Sequence, residues 1–209
     1  GSNAQHGLLK TYVFVPEQPG KLQAEVLLKD SAGYTLTGSM TVNVNPDPAV
    51  SAYSNVSVTD IGLPVKLISY ASSGTPPYSF TWYIDGKNVS SSQSFSFITD
   101  RTGPYSVLLV FRDSAGFTVE KAFTVNVNAD PELYAGSNVS ATDSGLPVEL
   151  NSHASFGTPP YSFSWQINGQ KACSTQNCSF VPNVPGRYYF TVTLTDSAGY
   201  IVTYNLTVN

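Results

Sequence analysis

The sequence predicts an all-β chain, built as tandem β-sandwiches arranged as a rod and preceded by half of one. Three observations carry this. Asp30-Ser-Ala-Gly33 returns at Asp113–Gly116 and again at Asp196–Gly199, each time after 83 residues. At that same offset, Asp47–Asn126 runs onto Asp130–Asn209 without a gap and with about half the positions identical, as expected of repeated modules of domain size. Within each copy, apolar and polar residues alternate with period two, and no stretch shows helical periodicity.

Gly1-Ser-Asn-Ala4 reads as an expression scar and is set aside. Residues 5–45 align with 88–128 through Phe14, Gly20 and Thr41–Asn45, so they read as the C-terminal half of a module. About three strands are expected there, with Leu22, Ala24, Val26, Leu28, Met40, Val42 and Val44 on one apolar face. Such a half-sandwich has no opposing sheet, so strand pairing or swapping with another molecule is expected of it.

The first complete module spans 46–128 and the second 129–209. In the first, Tyr105, Val107, Leu109 and Phe111 alternate with Ser106, Leu108, Val110 and Arg112. In the second, Tyr188, Phe190, Val192 and Leu194 alternate with Tyr189 and three threonines. One face is buried and the other is a hydroxyl-rich strand surface. Asp85-Gly86 and Asn168-Gly169 mark tight hairpins. The Asp-Ser-Ala-Gly segments supply turns, with a glycine free to take positive φ. Asn45-Pro-Asp-Pro48 and Asn128-Ala-Asp-Pro131 are short linkers that proline stiffens.

At Gly62–Leu67, Gly74-Thr-Pro-Pro-Tyr-Ser-Phe-Thr-Trp82, Gly103-Pro-Tyr105 and Asp113–Gly116, with their second copies, the chain resembles the PKD-like and immunoglobulin-like repeats of archaeal and bacterial surface proteins. The resemblance implies tandem immunoglobulin-like (PKD-like) β-sandwiches, with Trp82 and Trp165 in the cores and Tyr105 and Tyr188 as tyrosine corners. Leu22 stands at the corner position of the half-module, and Val107 and Phe190 stand near the place of the intersheet cysteine. The Gly-Asp-Gly of typical PKD domains is missing. The resemblance also implies a non-catalytic role at the cell surface, though the fold alone assigns no function.

Composition bounds the chemistry. Only 11% of residues are charged and the net charge is −4, which offers no basic surface to nucleic acid or anionic lipid. No apolar run is long enough to span a membrane. His6 and His153 have no partner motif for a triad, and no phosphate loop, zinc spacing or paired glutamates appear, so neither catalysis nor a cofactor is expected. Cys173 and Cys178 are the only cysteines, and a structural disulfide is the favoured reading, with an oxidising location. Asn55, Asn88, Asn138, Asn177 and Asn205 each begin an Asn-x-Ser/Thr sequon and are candidate glycan acceptors. Asp60 and Asp143, with Asp47 and Asp130 in the linkers, are candidate calcium ligands, but turn formation is the favoured role. Tyr12, Tyr53, Tyr70, Tyr83, Tyr134 and Tyr189 are candidate exposed rings, yet no aromatic platform repeats between copies.

The function expected is therefore that of non-catalytic structural or adhesive modules of an exported, extracellular protein, acting as a stalk or interaction surface. The alternative is an accessory substrate- or carbohydrate-binding role beside a secreted hydrolase such as a protease. Expected partners are protein, through self-association at residues 8–45 or through neighbouring repeats, or a surface glycan. Leu108 and Val110 form a secondary apolar patch. Few carboxylates need protonating, so little stability should be lost on acidification.

Overall fold

A computed structural model describes residues 11–209. The scar, His6 and residues 8–10 of the expected half-module lie outside the described residues. The first described elements are β1 (Gly20–Lys29) and β2 (Thr35–Val44), an antiparallel hairpin in register from Gly20↔Val44 to Lys29↔Thr35. Asp30 shapes its turn, where Oδ1 accepts the N–H groups of Ala32 and Tyr34, each at 2.9 Å.

Among the described residues this segment holds two strands, not three. Residues 11–19 form no regular strand. Pro16 and Pro19 withdraw donors there. In the complete modules, moreover, the equivalent strand pairs with a neighbour that the hairpin lacks. Leu22, Val26, Leu28, Leu36 and Met40 consequently remain exposed. Tyr12 and Phe14 stack at 6.4 Å and line a shallow groove with Ala24, Val26 and Met40.

The first sandwich is built from β3 (Ala49–Ser54), β4 (Val58–Asp60), β5 (Pro64–Ser72), β6 (Ser79–Ile84), β7 (Lys87–Ser90), β8 (Phe95–Ile98), β9 (Gly103–Arg112) and β10 (Thr118–Asn128). One sheet runs β3-β5-β8 and the other β4-β10-β9-β6-β7, with β4 parallel to β10 and the remaining pairs antiparallel. The second sandwich repeats this with β11 (Glu132–Ser137), β12 (Val148–Ser155), β13 (Ser162–Ile167), β14 (Gln170–Cys173), β15 (Cys178–Phe180), β16 (Tyr188–Thr195) and β17 (Ile201–Val208). Its sheets run β11-β12-β15 and β14-β13-β16-β17.

Each sandwich has its own core. Trp82 and Trp165 are both fully buried, among Val65, Leu67 and Leu109 in one core and Val148, Leu150 and Val192 in the other. Each indole N–H donates to a backbone carbonyl, Trp82 to Ser92 and Trp165 to Gln176, which satisfies the buried donor. A polar clasp lies beside each tryptophan. Ser69 Oγ donates to the Gln93 carbonyl and the Gln93 amide returns to the Ser69 carbonyl; Ser152 and Gln176 repeat the exchange.

Tyr105 makes a full corner: its hydroxyl accepts the N–H groups of Asp100 and Arg101 and donates to Asp100 Oδ1 at 2.7 Å. Tyr188 makes a lighter one, donating to the Val184 carbonyl at 2.8 Å. Asn55 and Asn138 extend the sheet edge, since their side-chain carbonyls accept the N–H of Lys66 and Glu149 where the strand itself has ended. That structural task explains why both copies hold asparagine there.

Cys173 and Cys178 are disulfide-bonded with Cα atoms 6.0 Å apart. The bond joins β14, at the edge of one sheet, to β15 in the other. In the first sandwich Ser90 and Phe95 occupy these positions, and Phe95 packs on Trp82 at 6.0 Å. An aromatic contact there does the work of a covalent tie here. Reduction, or Cys173→Ser with Cys178→Ser, is expected to cost the second sandwich about 2 kcal/mol for a loop this short. Calorimetry should then show the second unfolding transition moving down while the first stays in place.

Candidate functional site at the module junction

The repeated motifs converge at the pole of each sandwich where the linker enters. In the first, the Asp-Ser-Ala-Gly turn sits between β9 and β10, and the Gly-Thr-Pro-Pro loop precedes β6. Asp113 joins them: Oδ1 accepts the Phe117 N–H within its own turn, and Oδ2 accepts the Thr75 N–H across the gap, both at 2.9 Å. Ser114 adds its N–H to the Thr75 carbonyl and its hydroxyl to the carbonyls of Thr75 and Pro76. In the second sandwich Asp196 bonds Tyr200 and Thr158 in the same way, and Ser197 repeats the role of Ser114.

The linker is then gripped by the glycine of the loop. Gly74 N–H donates to the Pro46 carbonyl and Gly157 N–H to the Ala129 carbonyl, each at 2.8 Å. A Cβ on Gly157 would stand 2.7 Å from Pro131 Cβ and 2.8 Å from Asp196 Oδ2, in a backbone with φ of 66°. Gly74 meets Pro48 and Asp113 similarly. Only glycine admits both the conformation and the approach. The linker asparagine completes the seat, since Asn45 Nδ2 reaches Thr75 Oγ1 at 3.1 Å and Asn128 Nδ2 reaches Thr158 Oγ1 at 3.0 Å.

Beside the bond from Asn128 to Thr158, a second one crosses between the two complete sandwiches. Thr158 donates its hydroxyl to Asp60 Oδ1 at 2.6 Å, and both residues are buried. Ile61 N–H also bonds the Asn128 carbonyl, at 2.9 Å. Of the four aspartates named as calcium candidates, the structure brings Asp60 and Asp130 to this joint, where Asp130 faces Tyr200. Asp47 and Asp143 are exposed elsewhere, and no group of three or more His, Cys, Asp or Glu among the described residues is arranged to hold a metal ion. Sequence reasoning missed Asp196 at the joint, because its turn role already accounted for it.

The electrostatics divide these aspartates. The Thr75 N–H, followed by those of Phe117, Ala115 and Gly116, holds the Asp113 carboxyl below the usual range against the cost of burial. Asp85 is also lowered, first by the Ser106 N–H and then by Arg101, which it meets at 2.5 Å. Burial works against ionisation of Asp196, but hydrogen bonds from Asp60 and from three backbone N–H groups outweigh it and lower its pKa.

The remaining candidates lie apart from the joint. The five sequon asparagines are exposed; the side-chain carbonyls of Asn177 and Asn205 accept from Ser152 N–H and Thr191 Oγ1. His153 is exposed on β12, opposite Tyr134. Tyr53 and Tyr70 stack at 6.2 Å on the outer face of β3 and β5. Leu108 is only half-buried and shares a shallow groove with Tyr83 and Ala122 on the outer face of β6, β9 and β10.

No protein-family model and no curated protein matches this chain. Solved structures do. The N-terminal eight immunoglobulin domains of Down Syndrome Cell Adhesion Molecule align over 91% of this chain and 31% of that one, at 14% identity and a TM-score of 0.50. The fibronectin(III)-like modules of CbhA from Clostridium thermocellum align over 77% of this chain and 93% of theirs, at 16% identity and 0.48. The three N-terminal domains of the Highly Immunogenic Outer Capsid protein of bacteriophage RB49 align over 77% and 58%, at 17% identity and 0.47. The likeness is one of fold, that of tandem immunoglobulin-like domains.

Gly157→Ala is expected to destabilise the chain by about 2–3 kcal/mol through clash and strain together. Gly169→Ala, at φ 79° with nothing within 4 Å of its Cβ, should cost only about 1 kcal/mol; denaturant unfolding measures both. The stability that Asp113 contributes is present above the ordinary carboxylate range and is lost as pH falls through its depressed value. Asp113→Asn should therefore flatten the acid limb of the melting-temperature profile below pH 4.

Proposed function

We propose that this chain is a run of non-catalytic modules of an exported cell-surface protein, serving as a stiff spacer or adhesive stalk. The observation that carries this reading is the module junction. A sandwich needs a core and turns to fold, whereas Gly157, Thr158, Asp60, Asn128 and Pro131 are committed to seating one module on the next. Fixing orientation between neighbours is what a load-bearing or projecting stack requires. The disulfide supports an oxidising, extracellular location. The five exposed sequons are acceptors suited to a glycosylated surface. The PKD-like kinship of the repeats with archaeal and bacterial surface modules belongs to the same reading.

The hairpin β1–β2 is the counterpart of β9–β10 without the strands that cover them in a complete module. Its exposed Leu22, Val26, Leu28 and Met40 match core positions Tyr105, Leu109, Phe111 and Phe123. The surface it fits is the front half of a like module, offered by a neighbouring repeat or by a second copy. A second reading, glycan contact beside a secreted hydrolase, is favoured by the stacked pair Tyr53–Tyr70 alone.

Light scattering on the whole chain and on residues 47–209 tests the assembly. The reading expects a dimer that becomes monomeric when the hairpin is removed, with small-angle scattering of the monomer giving an extended, well-defined particle. A compact or freely jointed particle would sink the spacer role. Binding of soluble oligosaccharides that Tyr70→Ala abolishes would move the assignment to the second reading.

A further inference from the structure

The joint between the sandwiches holds a carboxyl group that the fold satisfies on one side only. Asp60 ends β4 and is fully buried. Its Oδ1 accepts the Thr158 hydroxyl, while Oδ2 is buried with no hydrogen-bond partner. The titratable groups facing it are Asp196 after β16, Asp130 in the linker and Tyr200 before β17. None of these is a cation. Thr158 bridges Asp60 to Asp196, with its hydroxyl on Asp60 Oδ1 and its N–H on Asp196 Oδ2, while the Tyr200 N–H donates to Asp196 Oδ1. An anion so well supplied keeps its charge and has room for one more donor.

Two ionised carboxylates cannot share a dry contact without a proton or a cation between them. Among the described residues no group of three is arranged to hold a metal ion, and one proton suffices for the unpartnered oxygen of Asp60. We propose that a proton on Asp60 Oδ2, donated to the Asp196 carboxylate, locks the two modules together, so that the joint is rigid in acid and loosens when Asp60 gives that proton to water.

The chain contains its own comparisons. Asp143 is the repeat counterpart of Asp60 and stands exposed at the far end of the second sandwich. Asp113 is the counterpart of Asp196, with the same backbone donors, and among the described residues no counterpart of Asp60 faces it. The Asp60 environment exists only where two complete modules meet. Burial first, and then the neighbouring Asp196 carboxyl, push the Asp60 carboxyl from 3.8 up to about 6. The docked joint therefore takes up a proton between those values, so docking strengthens as pH falls through about 6 and weakens as pH rises.

The test is nuclear magnetic resonance on the whole chain, following the Asp60 carboxyl carbon and the backbone relaxation of each sandwich across this range. The expected result is an Asp60 titration displaced upward from 3.8, with one shared tumbling time at pH 5 and two separate times at pH 8. Asp60→Asn keeps an acceptor for Thr158 and gives Asp196 a permanent donor, so it should tumble as one body at both values. An Asp60 that titrates at 3.8, or tumbling that ignores pH, overturns the proposal. So does millimolar calcium restoring single-body tumbling at pH 8, because a cation would then be the group the joint holds.

Discussion

The two-sided bonding of the aspartate in the Asp-Ser-Ala-Gly turn is the constraint on which the module pole depends. One oxygen closes the turn and the other reaches across to the Gly-Thr-Pro-Pro loop, at Asp113 and again at Asp196. Because the loop is held there, its glycine faces the linker and its threonine faces the linker asparagine. Displacing the aspartate would free the turn, the loop and the linker together. A hydrogen-bonded carboxylate with several backbone donors is among the stronger ties that a protein of so little charge can make.

The two complete modules reach the same pole by the same bonds, yet they close their far edges differently. The first uses Phe95 against Trp82 and a full tyrosine corner with Arg101 lying 4.3 Å over the Tyr105 ring. The second uses a disulfide and a corner of one hydrogen bond. The side chains that tie turn, loop and linker are the same in both copies, Asp113 and Asp196, Thr75 and Thr158, Asn45 and Asn128, Pro48 and Pro131, while Phe95 and Cys178 differ in chemistry. This division supports a chain whose modules are specified as neighbours as well as folds.

Low charge has a particular consequence in this setting. With few ion pairs, the pH response rests on individual aspartates rather than on net charge. Asp113 and Asp85 are held low first by backbone donors and Asp196 by Asp60 and then backbone donors, whereas Asp60 is pushed up by burial. Their contributions run in opposite directions as pH falls, and the one that favours acid lies between modules.

The sequence by itself determined the repeat, the alternating strands and the turn positions, because each is a local pattern: period two, an offset of 83 residues, glycine where φ is positive. It also put Cys173 and Cys178 close enough to pair. It led to an expectation of about three strands over residues 8–45, where the described residues hold two, since a strand needs a partner that a local pattern does not reveal. It also read Asp60 and Asp196 as separate turn residues. Only the tertiary structure brought them together, through a contact between Asp60 and Thr158 that lie 98 residues apart. Burial of a charge is decided by what packs over it, and for Asp60 that is the next module.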